Sequence, residues 1–170
     1  MKKVYLALAA LSLSATVASA QAYIGETEYA TLQDAVTAAE DGAVIEIAGT
    51  VNTANTDNTR LGFGKNLTIK GRGDNAVLQL PDKFKKGTVA LPHNTTHTVT
   101  FENLTFDGRG YEREKSFIEA KSGNGTLNLT DVTVINNKMI AAQRLLDTTG
   151  SGAKAVFTNL VIKDCEFLEG

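Results

Sequence analysis

The stretch Thr98-Val-Thr-Phe-Glu-Asn-Leu-Thr-Phe-Asp-Gly108 decides the fold, because it returns twice. It recurs as Thr126-Leu-Asn-Leu-Thr-Asp-Val-Thr-Val-Ile-Asn136 and as Lys154-Ala-Val-Phe-Thr-Asn-Leu-Val-Ile-Lys-Asp164, each time 28 residues later and without a gap. Stacked, the copies form three wholly apolar columns: Phe101, Leu129 and Phe157; Leu104, Val132 and Leu160; Phe106, Val134 and Ile162. The position before the second column holds Asn103, Asp131 or Asn159, and the position after it Thr105, Thr133 or Val161. Alternation broken by a small polar residue predicts two short strands joined by a bend in each copy.

Working outward, Lys65-Asn-Leu-Thr-Ile-Lys-Gly71 is a weaker copy of the second half of the unit, and Ile47 lies 22 residues before Ile69. Uneven spacing is expected of a coil that keeps its strands and varies its loops. Ala76 to Leu80, Ser116 to Ala120 and Met139 to Leu146 supply the remaining strands, and Asn52 to Asn58, polar and without period, reads as a surface loop. Propellers need a longer blade, leucine-rich repeats need a Leu frame that is absent, and a sandwich does not explain three columns at constant spacing. The repeat therefore predicts an all-β chain built as a parallel β-helix.

Ahead of the repeats, Leu32, Ala35, Val36 and Ala39 share one face of a helix over 31–41. Thr31 is its cap, Asp34 favours its positive end, and Asp41-Gly42 stops it. The strand Ala43-Val-Ile-Glu-Ile47 follows.

These segments together resemble the pectate-lyase-like superfamily of right-handed parallel β-helices, in particular its repeat-rich bacterial surface proteins. The resemblance rests on Tyr29-Ala-Thr-Leu-Gln-Asp-Ala-Val-Thr-Ala-Ala-Glu-Asp-Gly42 with the strand after it, and on Leu67 to Val77 and Val99 to Gly108. It implies a right-handed coil whose first turn is closed by a capping helix. The group contains polysaccharide lyases and glycoside hydrolases beside non-enzymatic adhesins, so the site, not the fold, has to decide function.

Met1-Lys2-Lys3, the apolar run Val4 to Val17 and the ending Ala18-Ser19-Ala20 match a secretory signal peptide over 1–20, leaving a β-helix domain over 21–170. Its removal takes the formal net charge from −2 to about −4, which gives no case for nucleic acid or an anionic membrane as partner. Export places the chain outside the cell or on its surface. Cys165 is the one cysteine, so no internal disulfide exists, and a small buried residue at a turn is its expected role. No closing helix or polar capping repeat follows Ile162, so the expectation is a piece of a longer product, or a last coil covered by another molecule with self-association through it.

Candidate chemistry is sparse. His93 and His97 lack the neighbours of a hydrolase motif. A lyase needs a base and a cation, usually Ca²⁺, beside the sugar carboxylate, and Asp107 and Asp131 with Arg109 or Lys163 come nearest to that set. Otherwise no catalytic residue, metal ligand or cofactor is expected. Arg72-Gly73-Asp74 reads as a tight turn, Lys83 to Lys86 as a solvated run, and the Asn-x-Thr matches at Asn66, Asn94, Asn103 and Asn128 mostly as parts of the strand repeat. Asp147-Thr148-Thr149 is a loop or an O-glycosylation pattern. Trp is absent, and Tyr111, flanked by Arg109, Glu112 and Arg113, is an aromatic set among charges of both signs. Asp107, Arg109 and Tyr111 are therefore the candidate ligand contacts of a non-catalytic module that is adhesive, structural or carbohydrate-binding. The alternative is the N-terminal part of a lyase or hydrolase acting on acidic polysaccharide.

Overall fold

Residues whose apolar side chains alternate can bury one face of a strand, and the long described strands do this. The structure, a computed structural model, describes residues 21–54, 61–80, 89–90, 96–113, 118–119, 124–140, 146–147 and 152–168. The chain opens with β1 (Gln21–Ile24) and β2 (Thr27–Tyr29), passes through helix α1 (Leu32–Ala38), and continues with β3 (Ala43–Ala48), β4 (Thr50–Asn52), β5 (Leu61–Gly62), β6 (Leu67–Gly71), β7 (Val77–Gln79) and β8 (Val89–Ala90). The two long strands β9 (Thr98–Asp107) and β12 (Thr126–Ile135) are separated by β10 (Glu112–Arg113) and β11 (Ile118–Glu119). β13 (Lys138–Ile140), β14 (Leu146–Asp147), β15 (Lys154–Thr158), β16 (Val161–Lys163) and β17 (Glu166–Leu168) complete the order. The protein is all-β, with one helix among the described residues.

The described strands fall into three sheets: ten strands in the order β15-β12-β9-β6-β3-β1-β2 with β4, β7 and β16 beside that path, three as β10-β13-β17, and four as β14-β11-β8-β5. From β9 onward the chain visits these sheets in a fixed rotation. β9 lies in the first, β10 in the second, β11 in the third, and β12, β13 and β14 repeat the sequence. Every pairing is parallel except those of β1, which runs antiparallel to both β2 and β3.

The register is the 28-residue offset of the sequence. Phe101 lies opposite Leu129, and Leu129 opposite Phe157; Phe106 lies opposite Val134, and Val134 opposite Ile162. The bend residues Asn103, Asp131 and Asn159 all adopt left-handed backbone, with φ of 48°, 52° and 52°. Asn and Asp tolerate that region best among residues with a side chain, which accounts for their presence at this position.

Inside, one apolar core runs from Ala22 through Ile45, Ile69, Phe101 and Leu129 to Val134. Phe101 meets Phe63 and Phe106 edge to face at centroid distances of 5.6 and 5.1 Å. Such pairs each add about 0.5–1.5 kcal/mol beyond area burial. Gly71 also serves packing: a Cβ there would overlap the Asn103 carbonyl oxygen and lie 2.8 Å from Ala76 Cβ.

At the N-terminal side Leu32, Ala35 and Ala39 are buried, and Val36 packs against the core, as the helical period requires. Thr31 Oγ1 accepts the Asp34 N–H at 3.1 Å and donates to Asp34 Oδ2 at 2.7 Å. The helix is shorter than the 31–41 expected, since Ala39 is already extended with ψ 144° and Asp41-Gly42 forms a separate turn. Lys65 Nζ donates to the Thr37 and Ala39 carbonyls there, placing a cation at the negative end of the helix.

Before the helix, β1 and β2 form a hairpin laid on β3, a nonlocal pairing that residue pattern alone does not encode. One further expectation for this region needs correction. The loop expected from Asn52 begins later. Asn52 ends β4, Thr53 and Ala54 are buried, and the Thr53 N–H donates to Gln79 O at 3.0 Å. Residues 55–58 of that loop, the signal peptide over 1–20, the run Lys83 to Lys86, His93, Asn94, Thr148 and Thr149 lie outside the described residues.

Candidate functional site

The chain leaves β9 through Asp107-Gly108-Arg109-Gly110-Tyr111, and this turn is held by Asp107. Its Oδ1 accepts the Arg109 N–H at 2.8 Å and Asn136 Nδ2 at 3.0 Å. Arg109 and Gly110 are both left-handed, with φ of 59° and 71°, and the Gly110 N–H reaches Asn136 O at 2.7 Å. The register shows what is unusual here. Asp107 lies opposite Ile135 and Ile135 opposite Lys163, while Glu112 lies opposite Lys138 and Lys138 opposite Glu166. The first turn is thus longer than the two stacked on it, where only Asn136-Asn137 and Asp164-Cys165 intervene.

The longer turn forms a lip. Beside it lies an open groove of about 540 Å³, lined by Arg109 and Gly110 and by Asn136, Lys138, Asp164, Cys165 and Glu166 of the two shorter turns. Lys138 Nζ is 3.3 Å from Glu166 Oε2. The Arg109 guanidinium lies 5.3 Å from the centre of the exposed Tyr111 ring, a cation–π distance. The groove thus offers two cations and two carboxylates within reach of one ligand.

Of the three residues singled out by sequence, Arg109 lines the groove, Tyr111 supports Arg109 and does not line it, and Asp107 is committed to the turn. Lys138, Asp164 and Glu166 were missed, although the 28-residue offset relates Asn136 to Asp164 and Lys138 to Glu166 and could have found them. Behind the groove, Asn137 is fully buried. Its Nδ2 donates to Ile135 O at 3.1 Å, and its Oδ1 has no hydrogen-bond partner. It packs on Gly108, where a Cβ would lie 2.5 Å from both Asn137 Cγ and Oδ1. Cys165, 28 residues after Asn137, is half-buried, with Sγ 3.4 Å from Lys163 O.

The lyase-like set does not converge. Asp131 sits at the mid-strand bend, four residues before Ile135, and its Oδ1 accepts Asn159 Nδ2 at 2.8 Å. Lys163 shares a column with Asp107 two strands away, roughly 9–10 Å at ordinary strand spacing. Among the described residues no group of three or more His, Cys, Asp and Glu side chains is placed to hold a metal ion.

Other marked residues have structural partners. Arg72 stacks over the Tyr23 ring at 5.2 Å, tying its turn to β1. Asn66 donates from its backbone N–H to Asp41 Oδ1 at 2.7 Å and from Nδ2 to both Asp41 oxygens, and its Oδ1 accepts the Thr98 N–H at 2.8 Å. The Asn66 backbone and side-chain N–H groups, aided by His97 and Lys65, hold the Asp41 carboxyl below its ordinary value. Asn128 Nδ2 donates to Thr100 Oγ1 at 3.2 Å across the strand pair.

Comparison with protein-family models, with curated proteins and with solved structures gives no match for this chain. No helix among the described residues is long and apolar enough to cross a membrane.

Proposed function

We propose that this chain is an exported, non-catalytic module built as a right-handed parallel β-helix of the pectate-lyase-like kind, which binds a surface polysaccharide or glycan through the groove beside the Arg109 lip. The fixed rotation of strands among three sheets and the in-register 28-residue columns support the coil. Support for export comes from the residue pattern of Met1 to Ala20.

One observation carries the ligand reading: a lengthened turn sets Arg109 over Tyr111 at the edge of an open groove that also holds Lys138, Asp164 and Glu166. A guanidinium suits bidentate contact with a sugar carboxylate, and the two acids can accept hydrogen bonds from sugar hydroxyls. The lyase alternative is disfavoured because both of its candidate aspartates already accept hydrogen bonds that shape turns.

A glycan array, followed by titration with an oligosaccharide that carries carboxylates, tests the reading. Binding is expected, and Arg109→Ala should weaken it about tenfold or more, the loss typical of a charged hydrogen bond, with Lys138→Ala smaller. Absence of binding by the folded protein would sink it. Appearance of unsaturated products from pectin or alginate would replace it with the enzymatic reading.

A further inference from the structure

Gln21 opens β1 and pairs with Ala48 of β3, and Ala22 beside it is fully buried. Ala18-Ser19-Ala20 stands directly before it, so removal of the leader at that small-residue ending makes Gln21 the first residue of the exported chain. A free α-amine and a side-chain carboxamide then belong to one residue.

The alternation of the strand sets their surroundings. Gln21 and Tyr23 share the face opposite to the buried Ala22. On that face the Tyr23 hydroxyl donates to Gln21 Oε1 at 3.4 Å, and the Arg72 guanidinium lies 5.2 Å from the Tyr23 ring centre. The two-residue turn Gly25-Glu26 makes Ile24 and Thr27 a hydrogen-bonded pair, which turns the backbone groups of Gln21 and Tyr23 toward β3. The Gln21 nitrogen therefore faces Ala48, while its carboxamide is held on the half-buried outer face by Tyr23.

An N-terminal amine has an ordinary pKa of about 7.7–8.0, so part of it is unprotonated and nucleophilic at neutral pH. Its nearest electrophile is Cδ of the same residue, and closing a five-membered ring on that carbon carries the advantage of an intramolecular reaction. Addition of the nitrogen forms a new bond to Cδ and places the negative charge on Oε1, the atom that accepts the Tyr23 hydrogen bond. Collapse of the adduct breaks the bond from Cδ to Nε2, and ammonia leaves with the proton given up by the amine. The lactam keeps one hydrogen on its nitrogen, which still faces Ala48, and it removes a positive charge from the neighbourhood of Arg72.

We propose that Gln21, once exposed by removal of the leader, closes on itself to pyroglutamate, with Tyr23 assisting through its hydrogen bond to Oε1. The proposal rests on the export reading. Its product is a neutral ring at the start of β1, closed to aminopeptidases that require a free α-amine.

Mass spectrometry of the N-terminal peptide tests this on the full chain exported by a bacterial host. The peptide is expected to begin at residue 21 and to weigh one ammonia less than the encoded sequence, and Gln21→Ser should leave an amine open to aminopeptidase. Followed from a short labelling pulse, Tyr23→Phe should slow the loss of ammonia about twofold or more, a long and partly exposed hydrogen bond being worth far less than the oxyanion donor of an enzyme. The difference should vanish in urea. A peptide that begins at Gln21 and keeps its ammonia, or equal rates in the folded parent and Tyr23→Phe, would overturn the proposal while leaving export intact. A retained leader would overturn the export reading, a first residue other than Gln21 the point of cleavage, and either would take this proposal with it.

Discussion

The strand β12 and the strand pair β15–β16 carry the same pattern at the same columns, yet one is interior and the other is not. Leu129 and Val134 lose almost all contact with water, while Phe157 and Ile162 keep about two-fifths of theirs. A repeat whose apolar face is completed by its neighbours is stabilised from both sides, and the last one from a single side. Identical residue patterns therefore carry different free energies according to their place in the stack.

The comparison breaks first at its aromatic column. Phe101→Ala, at the meeting point of Phe63 and Phe106, should cost about 3–5 kcal/mol, whereas Phe157→Ala in the monomer should cost less than about half of that. Urea unfolding at low protein concentration measures both, and equal losses would mean that the last repeat is as buried as the middle ones.

A smaller effect sharpens the contrast between the long turn and the short turns stacked on it. Gly108→Ala drives a methyl into Asn137 and the Asn136 carbonyl and should cost about 1–3 kcal/mol. It should also disturb the groove, so ligand affinity falls along with the unfolding midpoint. A neutral outcome would show that Asn137 does not sit against that turn.

The smallest effect concerns the closed end. Asp41 has its carboxyl held below the ordinary value, so it adds stability that is complete above the ordinary carboxylate range. That stability is lost as the pH falls through the lowered value. Asp41→Asn should lower stability at neutral pH and meet the parent at low pH, flattening the acid limb of a stability-against-pH curve. A steep acid limb retained in the variant would place the titration elsewhere.

The repeat and its columns were legible in the residues because every strand in the stack must present the same face to one core, and that demand writes itself at a fixed spacing. The helix cap was legible for a local reason: Thr31 and Asp34 satisfy each other across three residues. The candidate site was half legible. Arg109 and Tyr111 stand out as charge beside an aromatic, but Lys138, Asp164 and Glu166 look like ordinary surface residues until stacking brings them to one groove. Asp107 misled, since a carboxylate at a strand end serves a turn as readily as a ligand, and only its hydrogen bonds tell which.

By itself the sequence determined that strands form, which faces they bury, and which neighbours they stack on, because periodicity and backbone preference act within a few residues and recur. Tertiary structure decided the hairpin laid on β3, the buried Asn137 and the contrast in exposure between β12 and the pair β15–β16. Each of those depends on which strand lies alongside, and contacts between residues far apart in the chain leave no period in the sequence.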